Sequence, residues 1–185
     1  MNVVFGGVFN PPTKAHYYAC KRVMNEFNVD KFIFLPVGSN YDLKTVEDDF
    51  HRVKMLDIIA GKLGVEVSKI EIENNEMAGT YVSLRKLDLE DTHLLIGSDN
   101  LRNLESWRNS TKLLSEYKII VLNRQDNIGK IIEENEFLSI HKENIIIIND
   151  FDYNISSTNF RENNDENLID EDVLKYIDKF NLYGR

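Results

Sequence analysis

Asn2-Val3-Val4-Phe5-Gly6-Gly7-Val8-Phe9-Asn10-Pro11-Pro12-Thr13-Lys14-Ala15-His16 begins as a buried strand and ends as a helix. The apolar run to Phe5 reads as a strand, and Gly6-Gly7 closes it with residues whose backbone reaches angles closed to others and lets an anion approach the main chain. Pro11 and Pro12 interrupt regular structure, and Thr13 stands where an N-cap belongs. Beyond it His16, Cys20, Val23, Met24 and Phe27 recur at helical spacing and predict one apolar face. Strand, glycine turn and helix N-terminus therefore meet in one place. Free N–H groups and the positive end of a helix dipole suit such a place to anions. Thr13 and His16 share the first helical turn, with Lys14 beside them. The plain alternative is an ordinary strand–helix junction in which His16 caps or packs.

Outward from this stretch, Phe32-Ile33-Phe34-Leu35 is a second apolar run, ended by Pro36 and Gly38. Strand, amphipathic helix and strand make a βαβ unit, which implies parallel pairing and a right-handed crossover. Ligands of such sheets bind beyond the carboxyl ends of the strands. On that side fall the loop from Val37 to Glu47, which carries Lys44, and a helix opened by Asp49 and running to about Lys62. Lys44 and Arg52 read either as phosphate ligands or as solvated surface charge. Ile70 and Ile72 alternate with charged neighbours and predict a third strand over Ser68 to Glu73, near an edge.

Gly79-Thr80 opens a helix through Leu87. Thr92 to Ile96 is a buried strand closed by Gly97-Ser98-Asp99, and a carboxylate just past a strand end suits ribose hydroxyls. Trp107 reads as a core residue or as a stacking platform. Tyr117 to Leu122 is another strand, with Arg124 just beyond its end. Ile128 to Phe137 predicts a short outer helix, and Ile145 to Ile148 a strand suited to the sheet interior. In Ile155-Ser156-Ser157-Thr158-Asn159-Phe160-Arg161, Ser156 or Ser157 is a natural N-cap, and Arg161 shares a side of the turn with Thr158. Plain capping would account for that motif equally well. Asp172 to Tyr183 predicts an amphipathic helix with a structural role.

A chain of 185 residues predicts one domain over residues 1–185, without repeat or linker. At this size folding buries roughly 70% of the unfolded surface, enough for a core without staples. The single cysteine, Cys20, excludes an intramolecular disulfide and is expected to be a small buried hydrophobe, which suits a reducing cytoplasm. No stretch approaches the ~18 apolar residues of a membrane span, and the chain opens directly on a strand, so a cytoplasmic protein with no membrane partner is expected. Lys and Arg number 22 and Asp and Glu 31, a net charge of -9 that repels long polyanions and argues against nucleic acid as a partner. A small phosphorylated ligand is still compatible, because distant charges are screened over ~8 to 10 Å while local donors act at short range.

Residues 6–16 resemble the G-x-F-[DN]-P-x-[HT]-x-G-H signature of the nucleotidyltransferase superfamily, with Thr13 where many members have a first histidine and Ala15 where glycine is usual. Residues 155–161 resemble the I-S-S-T-x-x-R motif that pairs with that signature across the ATP phosphates. Leu95 to Leu101 with Trp107-Arg108 is similar to the segment in which nicotinate-nucleotide adenylyltransferases hold a nucleotide with the aspartate and stack the tryptophan on the pyridine ring. Thr80, Ser83 and Leu84 resemble their T-x-x-T-L pattern, with Val82 in place of its aspartate, and the tail resembles their V-x-x-Y-I-x-x-x-x-L-Y ending.

The resemblance implies an α/β fold of nucleotidyltransferase type, a Rossmann-like doubly wound parallel sheet of about five or six strands with helices on both faces. It implies transfer of the adenylyl group of ATP to nicotinate mononucleotide, with Thr13, His16 and Arg161 as catalytic groups. ATP would meet Gly6, Gly7, Val8, Phe9, Thr13, His16, Gly97, Asp99, Ile155, Ser156, Ser157, Thr158 and Arg161. The acceptor would meet Asn10, Lys44, Thr80, Trp107 and Arg124. Mg2+ would arrive on the ATP phosphates, since no cluster of carboxylates suggests a protein metal site. A homo-oligomer is left open. One alternative is a nicotinamide-mononucleotide or other small-molecule nucleotidyltransferase. Another is a nucleotide-binding sensor without turnover, suggested by Ala15, Val82 and a loop before Lys44 that lacks the P-P-H-K spelling.

Overall fold

Alternate residues of the apolar runs face opposite ways, and helices cover both faces of the sheet they build. The computed structural model describes residues 1–38, 47–73, 79–123, 126–151, 153 and 155–185. Along the chain it contains β1 (Asn2–Gly7), α1 (Lys14–Glu26), β2 (Lys31–Pro36), α2 (Asp49–Leu63), β3 (Glu66–Val67) and α3 (Thr80–Leu87). These are followed by β4 (Thr92–Gly97), α4 (Ser98–Asn103), α5 (Ser110–Glu116), β5 (Lys118–Leu122), α6 (Ile128–Glu134) and α7 (Glu136–Ile140). The last elements are β6 (Ile145–Ile148), α8 (Ser157–Asn163), α9 (Glu171–Lys179) and a 3-10 turn at Leu182–Gly184.

Among the described residues six strands form one sheet in the order β3-β2-β1-β4-β5-β6, with every pair parallel. This is the doubly wound arrangement, and its order reverses between β1 and β4. Val3 and Phe5, Phe32 and Phe34, Leu95, Ile120 and Leu122 point to one face, where α1, α2, α8 and α9 supply Cys20, Val23, Leu56, Ile59, Phe160 and Val173. Val4, Ile33 and Leu35, Leu94 and Ile96, Ile119 and Val121 point to the other, under Leu84, Leu101, Leu113, Ile128 and Leu138 of α3 to α7. Continuous apolar runs are what a sheet buried on both sides requires.

Four expectations change. The strand over 68–73 is a turn, because the pairing with β2 ends at Val67 and the N–H groups of Ile72 and Glu73 both donate to the Lys69 carbonyl. Glu71 is consequently buried and Ile70 only half-buried, the opposite of the alternation. The helix over 128–137 is two helices, since Asn135 is extended and its side chain accepts from the Leu138 N–H to cap α7. β6 is an edge strand, with Ile145 to Ile147 half-buried. The buried face of α1 is Ala15, Ala19, Cys20 and Val23, while Met24 is exposed. Cys20 is fully buried, which pushes its thiol up to about 12.

Candidate active site

The carboxyl ends of β1 and β4 lie side by side at the reversal of strand order. Phe5 pairs with Leu95, and two residues further on Gly7 and Gly97 end the two strands. A Cβ on Gly7 would lie 3.0 Å from the Phe9 ring, so any side chain there would require the ring to shift. Phe9 is buried with a left-handed φ of 51°, a conformation that persists in a bulky residue only where its surroundings hold it. Its ring meets that of His16 edge-on, with centroids 5.0 Å apart.

Thr13 is the N-cap of α1. Its main-chain N–H donates to His16 Nδ1 at 2.9 Å, and its hydroxyl lies 3.0 Å from the same nitrogen. A main-chain N–H can only donate, so Nδ1 accepts and the neutral ring carries its proton on Nε2. Thr13, expected to meet ATP itself, is fully buried and contacts His16 Nδ1 instead. Lys14 donates to the Asn167 carbonyl at 2.8 Å.

The second motif comes to the same loop from the far end of the chain. Ser156 caps α8 by accepting from the Asn159 N–H at 3.1 Å. Ser157 Oγ donates to the Pro11 carbonyl at 2.8 Å. Arg161 donates to the Asn10 carbonyl at 2.5 Å and to Thr158 Oγ1 at 3.1 Å. The N-termini of α1 and α8 are thus bridged through Asn10 and Pro11, whose shared peptide is cis.

Two residues hold this arrangement in roles the sequence reading did not give them. Arg52 of α2 is fully buried, donating to the Val8 carbonyl at 2.5 Å and the Val37 carbonyl at 2.6 Å and pairing with Asp49. It is neither a phosphate ligand nor a surface charge, but a clamp on the loops that leave β1 and β2. Its place in the row Arg52, Met55, Leu56, Ile59 was the available signal, since that row is the buried face of α2. Tyr183 donates to Asn10 Oδ1 at 2.8 Å, across almost the whole chain, and the sequence marked it only as the last tyrosine of the V-x-x-Y-I-x-x-x-x-L-Y ending.

The side of the reversal beyond β4 is more open. Asp99 is exposed in the first turn of α4. Trp107 is half-buried against the core of α3 to α7. Gly79, the N-cap of α3, has φ of 85°, and a Cβ there would lie 3.1 Å from Arg108 Cβ, so the helix start at Thr80 is pressed against the segment carrying Trp107. Glu71 is buried nearby in sequence, and burial pushes its carboxyl up, against the Ser83 hydroxyl, which holds it down. Its Oε1 makes no hydrogen bond. Lys44 and Arg124 lie outside the described residues. A cleft formed by Arg85, Thr92, Tyr117 and Lys118 sits at the amino ends of β4 and β5, the wrong end of the sheet for these groups.

Among the described residues no group of three His, Cys, Asp or Glu side chains could hold a metal ion, and no helix is long and apolar enough to cross a membrane.

The cytidylyltransferase-like family model matches residues 4–163. A probable nicotinate-nucleotide adenylyltransferase of Fusobacterium nucleatum is 37% identical, over 95% of this chain and 96% of its own. Another, of Acholeplasma laidlawii, is 32% identical over 99% and 97%. Among solved structures, the nicotinic acid mononucleotide adenylyltransferase of Plasmodium falciparum complexed with NaAD covers 98% of this chain and 96% of its own, with a TM-score of 0.80 at 23% identity. The same enzyme complexed with APC aligns with a TM-score of 0.78 at 22% identity, a likeness of fold. The sheet order, the two bridged motifs and the near full-length matches lead to one assignment: the chain belongs to the cytidylyltransferase-like family and, within it, to the nicotinate-nucleotide adenylyltransferases.

Proposed function

We propose that the protein transfers the adenylyl group of ATP to nicotinate mononucleotide, giving deamido-NAD and pyrophosphate in NAD biosynthesis. The observation that carries this reading is the bridge between the N-termini of α1 and α8 through Asn10 and Pro11. An oxygen of the mononucleotide phosphate attacks the α-phosphorus of ATP, the bond to the bridging oxygen breaks, and pyrophosphate leaves. The attacking oxygen is already an anion, so no side chain need act as nucleophile. What the reaction needs is alignment of two anions and stabilisation of charge on the moving phosphoryl oxygens.

In this reading His16 presents Nε2–H to the ATP phosphates, and Thr13 orients the ring from behind. The main chain from Gly6 to Phe9 lies along the transferring phosphate. Arg161, with Ile155, Ser156, Ser157 and Thr158, receives the β and γ groups and the departing pyrophosphate. Gly97 and Asp99 take the nucleoside part of ATP across the strand reversal, and Trp107 and Thr80 line the pyridine pocket, with Lys44 and Arg124 on the acceptor side; Asn10, expected there too, is buried and instead joins the two phosphate-facing motifs. Magnesium enters as part of the nucleotide substrate. A single domain over residues 1–185 acting in the cytoplasm accompanies this reading, and the net charge of -9 speaks against a nucleic-acid partner.

The test is magnesium-dependent pyrophosphate release from ATP with nicotinate and nicotinamide mononucleotides supplied in parallel. A much higher kcat/KM with nicotinate mononucleotide is expected. Preference for the amide would move the acceptor to nicotinamide mononucleotide. ATP binding without pyrophosphate release would favour a sensor, with Ala15 and Val82 as its marks.

A further inference from the structure

Tyr183 touches both phosphate-facing loops and an element next to them. Its hydroxyl donates to Asn10 Oδ1 at 2.8 Å, its main-chain N–H donates to Glu47 Oε1 at 3.1 Å, and the Glu47 N–H donates to Asn10 Oδ1 at 3.2 Å. These three bonds close a ring. The phenol ring also meets Phe160 of α8 edge-on, with centroids 5.7 Å apart. Asn10, buried at 3% exposure, passes the link on, because its main-chain carbonyl accepts from Arg161, which in turn holds Thr158. The backbone of Tyr183 is left-handed, at φ 58° and ψ 24°, a conformation a tyrosine keeps only where contacts on several sides hold it. Burial and the nearby Glu47 charge push its phenol well above the ordinary tyrosine range, so it remains a hydroxyl donor.

We propose that Tyr183 is a positioning residue for adenylyl transfer, holding the loop that leads into α1 and His16 in register with the motif that carries Arg161. The claim rests on the reading of the site as a nucleotidyltransferase. It goes beyond that reading by giving a residue 173 positions from Asn10 a part in aligning the reactants. Tyr183 touches no substrate. A small displacement of one motif against the other disturbs in-line geometry far more than it disturbs binding, because each motif still offers its donors to the phosphates.

Tyr183→Phe removes one hydroxyl and keeps the ring on Phe160. The variant should lose about 10-fold in kcat, while KM for ATP and for nicotinate mononucleotide stays within about 2-fold. Hydrogen–deuterium exchange should quicken in peptides covering residues 8–16 and 155–161 and stay unchanged in β4. Unchanged exchange in either loop overturns the proposal, and so does faster exchange with kcat within 2-fold of wild type. A wild-type protein that fails to turn over defeats the functional reading instead, and the exchange comparison then decides whether Tyr183 sets the two loops.

Discussion

The two sides of the strand reversal are built in different ways. On the phosphate side nearly every polar group is spoken for by another part of the chain: Thr13 by His16, Asn10 by Tyr183 and Glu47, the Asn10 and Pro11 carbonyls by α8, and Val8 by Arg52. On the other side, beyond β4, Asp99 is exposed, Trp107 leans on apolar neighbours, and the helices are short. The contrast follows from the chemistry. Triphosphate geometry is fixed and must be met by donors already in place, whereas an aromatic ring is held mainly by the surface it covers. Buried polar bonds fix direction, and apolar packing fixes only proximity.

Four substitutions would sharpen or break that contrast. The largest effect is expected at Arg52→Ala, which leaves the Val8 and Val37 carbonyls and Asp49 without their buried partner and should cost about 3 to 5 kcal/mol in urea unfolding. A loss below ~1 kcal/mol would mean that the loop after β1 does not depend on the clamp. Next, His16→Ala should lower kcat about 100- to 1000-fold with the fold intact by circular dichroism, and near-normal turnover would remove the imidazole from the mechanism. On the other side, Trp107→Ala should raise KM for the mononucleotide about 10-fold and leave KM for ATP nearly unchanged. Equal effects on the two substrates would merge the two sides into one.

The smallest effect is expected at Glu71→Gln. Burial holds the Glu71 carboxyl above its ordinary range in the folded protein. The stabilisation linked to that proton is complete below the unfolded carboxylate range and is lost as pH rises through the raised folded value. The melting temperature of the variant should therefore gain on that of wild type as pH rises from below the unfolded carboxylate range through the raised folded value. A gap that does not widen with pH would show that Glu71 titrates as a solvated carboxylate.

The sheet was legible because its strands are short apolar runs whose alternate residues feed two cores, and the helices between them carry one apolar face each. The two motifs were legible because each is contiguous: residues 6–16 and 155–161 state their own turn and cap. Arg52 was half legible, a charge set in an apolar row with nothing local to say which carbonyls it serves. Tyr183 was legible only as the close of the V-x-x-Y-I-x-x-x-x-L-Y ending, since its partner Asn10 lies at the other end of the chain and nothing in that spelling names it. The strand expected at 68–73 failed for a related reason. Alternation predicts a strand only where a neighbouring edge continues, and here the Lys69 carbonyl gathers two N–H groups into a turn.

Cys20 gives α1 a built-in gauge. With its thiol sealed beneath the helix and pushed up to about 12, it is closed to alkylating reagents while the helix is seated. Labelling then proceeds only through opening, and its rate counts how often α1 lifts from the sheet. His16 rides on the same helix, so a time course of labelling on the native chain, with no engineered probe, reports how often the imidazole leaves its station.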